Sequence, residues 1–283
     1  MRKQILNLFI LATFLVALSS TILFGCSNKN QEVKVIILSG QSNMVGITSS
    51  LNLEQSIGSK KYNEFVNGYD NIQLYSAIDN EQVLPFQKYK LGVGAHENSF
   101  GVELGLCDVL NEKYPKDKFY IIKCAYGGSS LHLDWSKNGQ YYPKLIENVN
   151  NALSDLTKSN KTPKIISFCW MQGETDNGSY GEYYYENLIA FKNNLTEDFS
   201  KYLSDHNLNF VDASIKDDGD VNNAKLAFSQ LNQSNYFINT HIDNLIEEGI
   251  NGLITSGGVH YNDVSELKLG QLFGNCIVDN ILK

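Results

Sequence analysis

The stretch Val33-Lys34-Val35-Ile36-Ile37-Leu38-Ser39, followed by Gly40-Gln41-Ser42-Asn43-Met44, decides how this chain is read. A short β-branched and aliphatic run ends, and a serine follows within four residues, flanked by amides and a glycine. Such side chains suit a covered, pleated strand. The chain then turns sharply before a helix. A side chain on that turn is fixed by the sheet yet exposed at its edge, which is how a nucleophile is mounted. With a nucleophilic Ser42 the chain is a hydrolase or acyl transferase. Without one, Ser42 is the N-cap of the helix that follows.

Similar apolar runs recur at 118–124, 164–170, 208–213 and 250–254. They are near-continuous rather than alternating, as expected of strands covered on both faces in a parallel sheet. Helix-like segments lie between them near 101–114, 143–158, 181–203, 222–237 and 263–282. In 143–158, Leu145, Ile146, Val149, Ala152, Leu153 and Leu156 keep helical spacing. Strands alternating with helices predict βαβ units and an α/β fold. The stretch 45–98 breaks this rhythm. It is rich in Asn, Ser, Gly and Tyr, and offers only short strand candidates such as Ile72-Gln73-Leu74-Tyr75. It is expected to be an insertion lying over the carboxyl ends of the strands, where open α/β sheets bind ligands.

The chain has 283 residues, enough for a sizeable core in one large domain or two small ones. One domain is the simpler expectation, because there is no repeat, Pro-rich linker or low-complexity tract. The net charge is −8, and becomes −10 without residues 1–25, which carry Arg2, Lys3 and no acid. That balance argues against nucleic acid or an anionic membrane surface as the main partner.

Residues 1–25 form a targeting segment: a charged start, an apolar run from Ile5 to Phe24, then Gly25-Cys26. A small residue before a cysteine at the end of such a run resembles a bacterial lipoprotein lipobox. The resemblance implies cleavage before Cys26, lipid attachment to its sulfur, and a cell-surface protein anchored to the membrane. An uncleaved anchor is the alternative, since the run approaches the ~20 residues of a span. The chain then divides into a signal segment (1–25), a linker (26–32) and one domain (33–283). The other cysteines, Cys107, Cys124, Cys169 and Cys276, sit in apolar runs without CxxC or zinc-type spacing. They are expected to be buried thiols rather than disulfides or metal ligands.

Gly40-Gln41-Ser42-Asn43-Met44 is not the G-x-S-x-G elbow, because Met44 occupies the last glycine position. Four further blocks follow in order: Phe100-Gly101-Val102-Glu103-Leu104; Lys123-Cys124-Ala125-Tyr126-Gly127-Gly128-Ser129-Ser130-Leu131; Trp170-Met171-Gln172-Gly173-Glu174-Thr175-Asp176; and Gly258-Val259-His260-Tyr261. Together they resemble the SGNH/GDSL hydrolase superfamily, and within it the sialate O-acetylesterase-like and family 6 carbohydrate esterase group. The match covers roughly 33–282. It implies a flavodoxin-like three-layer α/β/α sandwich with a mainly parallel, five-stranded sheet.

The resemblance also implies roles. Ser42 is the nucleophile and needs a base, because a hydroxyl is a poor nucleophile at neutral pH. Of the five histidines, His260 lies after an expected strand and a Ser-Gly-Gly loop, just before a helix. That puts it at the same sheet edge as Ser42. Without the resemblance it is a surface loop histidine, and His132, beside the Gly-Gly pair, is the second candidate. The oxyanion donors are the Ser42 N–H, the Gly128 N–H and the Gln172 side-chain amide. The superfamily places an aspartate three residues before the histidine, but here Gly257 stands there. Glu174 is expected to orient His260 instead, with Asp176 second. Asp263 is expected to start the last helix, where an acid is favourable. Glu103 buttresses the active-site loops. Trp135, Tyr126 and the tyrosines of 180–185 offer rings for sugar stacking. Such aromatics are usually packing residues, and Trp135 is the one expected to touch substrate.

The function implied is a serine esterase that removes O-acetyl groups from carbohydrates through an acyl-enzyme, with no cofactor and no metal. Sialic acid, xylan and peptidoglycan-type sugars all fit. Two rivals stand beside it: a surface carbohydrate-binding lipoprotein without turnover, kept open by Gly257, and a short-chain lipase or aryl-esterase.

Overall fold

The first strand, β1 (Gln31–Gly40), is buried from Val35 to its end, as its unbroken aliphatic run requires. In this computed structural model the described residues are 31–79, 82–243, 245, 247–248 and 259–283. The segment 1–25, Cys26, the strand expected over 250–254 and Gly257 lie outside them. Residues 32–283 form a compact unit.

The main sheet continues with β2 (Tyr69–Ile78), β3 (Leu84–Tyr89), β4 (Phe119–Ala125), β5 (Lys161–Met171), β6 (Phe210–Ala213) and β7 (Asn235–Ile238). Its order is β3-β2-β4-β1-β5-β6-β7. It therefore has seven strands, not the five expected. Pairing is parallel for β1 with β4 (Ile36 beside Ile121), β2 with β4 (Leu74 beside Ile121), β5 with β6 (Cys169 beside Val211) and β6 with β7 (Val211 beside Tyr236). Only the edge pair β2–β3 is antiparallel among these.

The sequence reading caught β2 only as the short candidate Ile72–Tyr75 and did not mark β3 or β7. In β2, Asp70 and Asn71 follow the opening Tyr69, and their polarity shortens the apparent run of a ten-residue strand that is buried from Leu74 onward. The stretch 45–98 is thus not only a loop over the sheet, because β2 is an inner strand of it. β7 is only four residues long and half-exposed at Tyr236 and Phe237. It lies in a segment expected to be helical to residue 237, whereas that helix stops at Ser229.

The helices follow the expected alternation: α1 (Ser42–Val45), α2 (Glu103–Lys113), α3 (Tyr142–Lys158), α4 (Tyr184–Asp198), α5 (Asp220–Ser229) and α6 (Asp263–Asn280). In α3, of the residues spaced for one face, Leu145, Val149, Ala152, Leu153 and Leu156 are buried and Ile146 is partly buried. Its Pro143 sits in the first turn, where no N–H is missed. Cys107, Cys124 and Cys169 are buried free thiols; burial pushes the Cys124 and Cys169 thiols up.

Two features of this frame position the site. β1 lies between β4 and β5, and the chain builds outward from it on both sides. The carboxyl end of β1 is therefore a topological switch point, where α/β sheets open a crevice. The second feature is the tight crossing of α2 and α6. A Cβ on Gly105 would lie 2.0 Å from the Leu267 carbonyl oxygen, and one on Gly270 would lie 2.1 Å from that of Val102. Only glycine permits that approach, and it seats α6, with His260 just before it, against the body of the fold.

Candidate active site

Ser42 stands at the first residue of α1. Gly40 before it has φ +147, and a Cβ there would lie 2.0 Å from the Met171 carbonyl oxygen. That oxygen accepts the Gln41 N–H at 2.9 Å. The Gln41 side chain carbonyl in turn accepts the Gly173 N–H at 3.2 Å and the Thr175 N–H at 3.4 Å. The serine turn is thus tied to the end of β5 and to the loop beyond it. Gln41, not Ser42, occupies the N-cap position, and it makes no side-chain cap. The N-cap alternative for Ser42 is thereby removed.

The Ser42 hydroxyl is instead 3.0 Å from His260 Nε2. His260 opens a two-residue strand, His260–Tyr261, paired antiparallel with Glu247–Glu248. The Thr48 hydroxyl anchors that strand by donating to the Tyr261 carbonyl at 2.8 Å. Half-burial of the imidazole pushes the His260 pKa below its ordinary 6.5. The ring is neutral at pH 7 and able to accept the serine proton.

Glu174 is joined to the strand that carries His260 through Asn43. Its Oε1 accepts from Asn43 Nδ2 at 2.9 Å, and the same Asn43 nitrogen donates to the Val259 carbonyl at 3.0 Å. Glu174 is therefore linked through Asn43 to the residue preceding His260. Asn43 was not singled out in the sequence. Its place next to the serine is the only signal, because its partners lie 131 and 216 residues away.

The expected oxyanion donors divide. The Ser42 N–H belongs to the first turn of a helix and has no intrahelical acceptor. Gly128 is exposed, with φ +65 and nothing within 4 Å of where a Cβ would project. Its neighbour Gly127 is fixed by an N–H bond to Asp79 Oδ1 at 2.7 Å. The Gln172 amide does not fit the role. Its Nε2 donates to the Ser129 carbonyl at 2.9 Å and to Asp176 Oδ2 at 2.6 Å, while its Oε1 accepts from the Tyr184 hydroxyl at 2.8 Å. Both amide hydrogens are used and the side chain is fully buried, so none is left for an oxyanion.

Asp176 is likewise committed. Its carboxylate accepts from the Ser130 hydroxyl, the Leu131 N–H, the His132 N–H and Gln172. It clamps the Gly-Gly loop onto the loop after β5 and does not orient His260. Asp263 begins α6 as expected, with its carboxylate accepting from the Ser56 hydroxyl and the Val264 N–H.

Trp135 is a correction. It is fully buried among Tyr126, Tyr141, Trp170 and Phe191. Its indole N–H donates to the Ser129 hydroxyl at 2.8 Å, which donates to the Tyr126 carbonyl at 2.7 Å. It holds the Gly-Gly turn from behind and is out of substrate's reach. His132, the second candidate base, meets Asn187 through Nδ1.

Beneath these loops is a set of buried charges. Lys123 Nζ lies 2.8 Å from Glu103 Oε2 and donates to the Val93 carbonyl at 3.0 Å; the Gly101 N–H donates to Glu103 Oε1 at 2.9 Å. Glu103 thus buttresses the loop before α2, as expected. Glu266, fully buried in α6, has no hydrogen-bond partner for either carboxyl oxygen among the described residues. Burial, with Glu103 and Glu174 nearby, pushes its pKa well above 4.5 against the opposing pull of Lys123. Among the described residues, no cluster of three or more His, Cys, Asp or Glu side chains could hold a metal ion.

The model of a family described as carbohydrate esterase, sialic acid-specific acetylesterase matches residues 32–279. No curated protein sequence matches significantly. Among solved structures, a protein from Arabidopsis thaliana is 17% identical, covers 88% of this chain and 99% of its own, and superposes with a TM-score of 0.66. NanS is 14% identical, over 89% of this chain and 98% of its own, with a TM-score of 0.62. A carbohydrate acetylesterase from Xanthomonas citri is 14% identical, over 88% of this chain and 56% of its own, with a TM-score of 0.54. At these identities the likeness shows a shared fold.

Proposed function

Because the chain belongs to the sialic acid-specific acetylesterase family of carbohydrate esterases, and is thereby a carboxylic ester hydrolase, we propose that it removes O-acetyl groups from sugars through an acetyl-enzyme on Ser42. The observation that carries this reading is the 3.0 Å contact between the Ser42 hydroxyl and a His260 ring kept neutral by burial.

In the scheme, Ser42 Oγ attacks the acetyl carbonyl and its proton passes to His260 Nε2. The developing oxyanion is held by the Ser42 and Gly128 N–H groups, two preorganised donors at a sheet edge. The tetrahedral intermediate collapses, the C–O bond to the sugar breaks, and Nε2–H protonates the leaving sugar oxygen. Water then attacks acetyl-Ser42, with Nε2 taking its proton, and acetate leaves as the proton returns to Ser42. Glu174 acts as a positioning residue: through Asn43 it holds the Val259 carbonyl, and so the strand that presents His260.

Membrane attachment through a lipid on Cys26 belongs to the same reading. It rests on the Arg2–Lys3 start, the apolar run and Gly25-Cys26. Acetate release from p-nitrophenyl acetate and from O-acetyl sugars, compared between the wild-type protein and Ser42→Ala, tests the chemistry. Activity retained in Ser42→Ala overturns it.

A further inference from the structure

Lys192, in α4, is a buried cation that keeps only 7% of its surface exposed. Its Nζ donates to the Ser234 hydroxyl at 2.8 Å and to Asn235 Oδ1. Both acceptors are neutral, and among the described residues no acid pairs with it. An ammonium carries three N–H groups, so one is left over. Burial, unopposed by any acid, pulls the Lys192 pKa from 10.5 down to about 8. The amine therefore still carries its charge at pH 7. Buried charges are normally paired, because an uncompensated one is costly.

Lys192 lines a cavity of about 230 Å³, and so do Asn207 and Asn232. The two asparagines are exposed and Lys192 is not, so the amides form the rim and the ammonium the floor. Both amide oxygens are turned to Ser234. Asn232 Oδ1 accepts the Ser234 N–H at 3.0 Å, and the Ser234 hydroxyl lies 3.0 Å from Asn207 Oδ1 and 3.2 Å from Asn232 Oδ1. That leaves both Nδ2 groups without an acceptor among the described residues. Asn235 is fixed the other way: its Oδ1 meets Lys192 and its Nδ2 donates to the Phe228 carbonyl at 2.7 Å. The lining contains no acid, and part of it is apolar, from Ile189, Phe228 and Leu231.

We propose that this cavity binds a small oxyanion, a carboxylate or phosphate group, through the third Lys192 N–H and the Nδ2 groups of Asn207 and Asn232. Such a group accepts several hydrogen bonds at once and supplies the counter-charge that Lys192 lacks. The apolar wall leaves room for the carbon chain of an organic anion. The site is separate from the catalytic one. Asn207 precedes β6 and Asn235 opens β7, so the cavity stands at the amino ends of these strands. Ser42 follows the carboxyl end of β1, where the Gln41 N–H meets the Met171 carbonyl at the end of β5. Since β6 runs parallel to β5 and β7 to β6, the two sites lie at opposite ends of the sheet. The proposal does not depend on the esterase reading.

Calorimetry at fixed ionic strength tests it, with sodium phosphate and sodium butyrate titrated separately into wild-type protein and sodium chloride as the control. Saturable binding of phosphate, butyrate or both is expected. Tighter binding of butyrate identifies an organic carboxylate that uses the apolar wall, and tighter binding of phosphate identifies a phosphate group. Asn232→Asp keeps the oxygen that Ser234 binds but puts a negative charge where an amide donor stood. It should bind the same anion at least about tenfold more weakly, and so should Lys192→Met. Where Lys192→Met fails to fold, Asn232→Asp, altered only at the exposed rim, still decides. No saturable binding of either anion by wild-type protein overturns the site. So does chloride binding of equal strength, or binding by Asn232→Asp within twofold of wild type.

Discussion

Ser42 Oγ and His260 Nε2 lie 3.0 Å apart although 218 residues separate them in the chain. The serine is set by the end of β1, where Gly40 and Gln41 lie against the end of β5. The histidine is set by a short strand held by Thr48 and by the α2–α6 crossing. Asn43, next to the serine, joins the two supports by donating to the Val259 carbonyl at 3.0 Å.

The pH dependence follows from the burial of His260. A base must be neutral to accept a proton, and burial disfavours the charged imidazolium, which moves its pKa below 6.5. On p-nitrophenyl acetate, kcat/KM should rise through one ionisation centred below pH 6.5 and then level off. A midpoint at or above pH 7 would contradict the assignment. His260→Ala should lower kcat by at least about a thousandfold.

Asn43 and Glu174 are linked to the strand that presents the histidine. Asn43→Ala and Glu174→Ala should each lower kcat by about 10- to 100-fold, with a much smaller change in KM, because they release the Val259 carbonyl. Asp263→Asn should remain near wild type, since among the described residues that carboxylate bonds to Ser56 and to its own helix start. Steady-state kinetics on the three variants separates the cases. A larger loss in Asp263→Asn would reverse the assignment.

Gln172 should behave as a structural residue. Gln172→Ala removes the amide donor from the Ser129 carbonyl and from Asp176 Oδ2. Asp176 Oδ2 keeps the Leu131 N–H and the Tyr184 hydroxyl keeps the residue-172 carbonyl, so the Ser129 carbonyl is the group left unpaired, at about 1–3 kcal/mol. Thermal unfolding should show a fall in Tm. An oxyanion donor would give the opposite pattern, with Tm preserved and kcat lost.

Glu266 makes stability fall as pH rises. Its folded pKa lies well above 4.5, so over that interval the native state keeps a proton that the unfolded state has released. Stability is then greatest below the unfolded pKa and declines above it, by at most ~1.4 kcal/mol per pH unit. Glu266→Gln carries no such proton. In urea unfolding at pH 5, 7 and 9, the advantage of Glu266→Gln over wild type should grow with pH. A constant difference would mean that Glu266 is charged in the fold.

Much of the site was legible in one dimension because its parts are local motifs. Ser42 was readable from a strand, a glycine and a turn. Gly128 and His260 were singled out by the family resemblance of their blocks; by themselves they read as an ordinary turn and a surface loop histidine. What failed was local in appearance and tertiary in fact. Gln172 and Trp135 carry side chains suited to a binding site, yet both are spent on internal hydrogen bonds to the Gly-Gly loop. A donor's residue type is visible in sequence, but whether its hydrogens are already taken is not. β2 and β7 were obscured for a related reason: a strand's polar start, or its shortness, hides a pairing that a neighbouring strand supplies.

By itself, the amino-acid sequence determined an α/β fold built on near-continuous aliphatic strands, a serine mounted at the end of the first of them, and the family blocks that point to ester hydrolysis. Periodicity and turn chemistry act over a few residues, and those features are local. The tertiary structure alone decided the seven-strand order and the contact of His260 with Ser42. It also decided the route from Glu174 through Asn43 to Val259, and the burial of Trp135. Each of these depends on which distant groups share a hydrogen bond or exclude water, and that is settled only when the strands and helices pack.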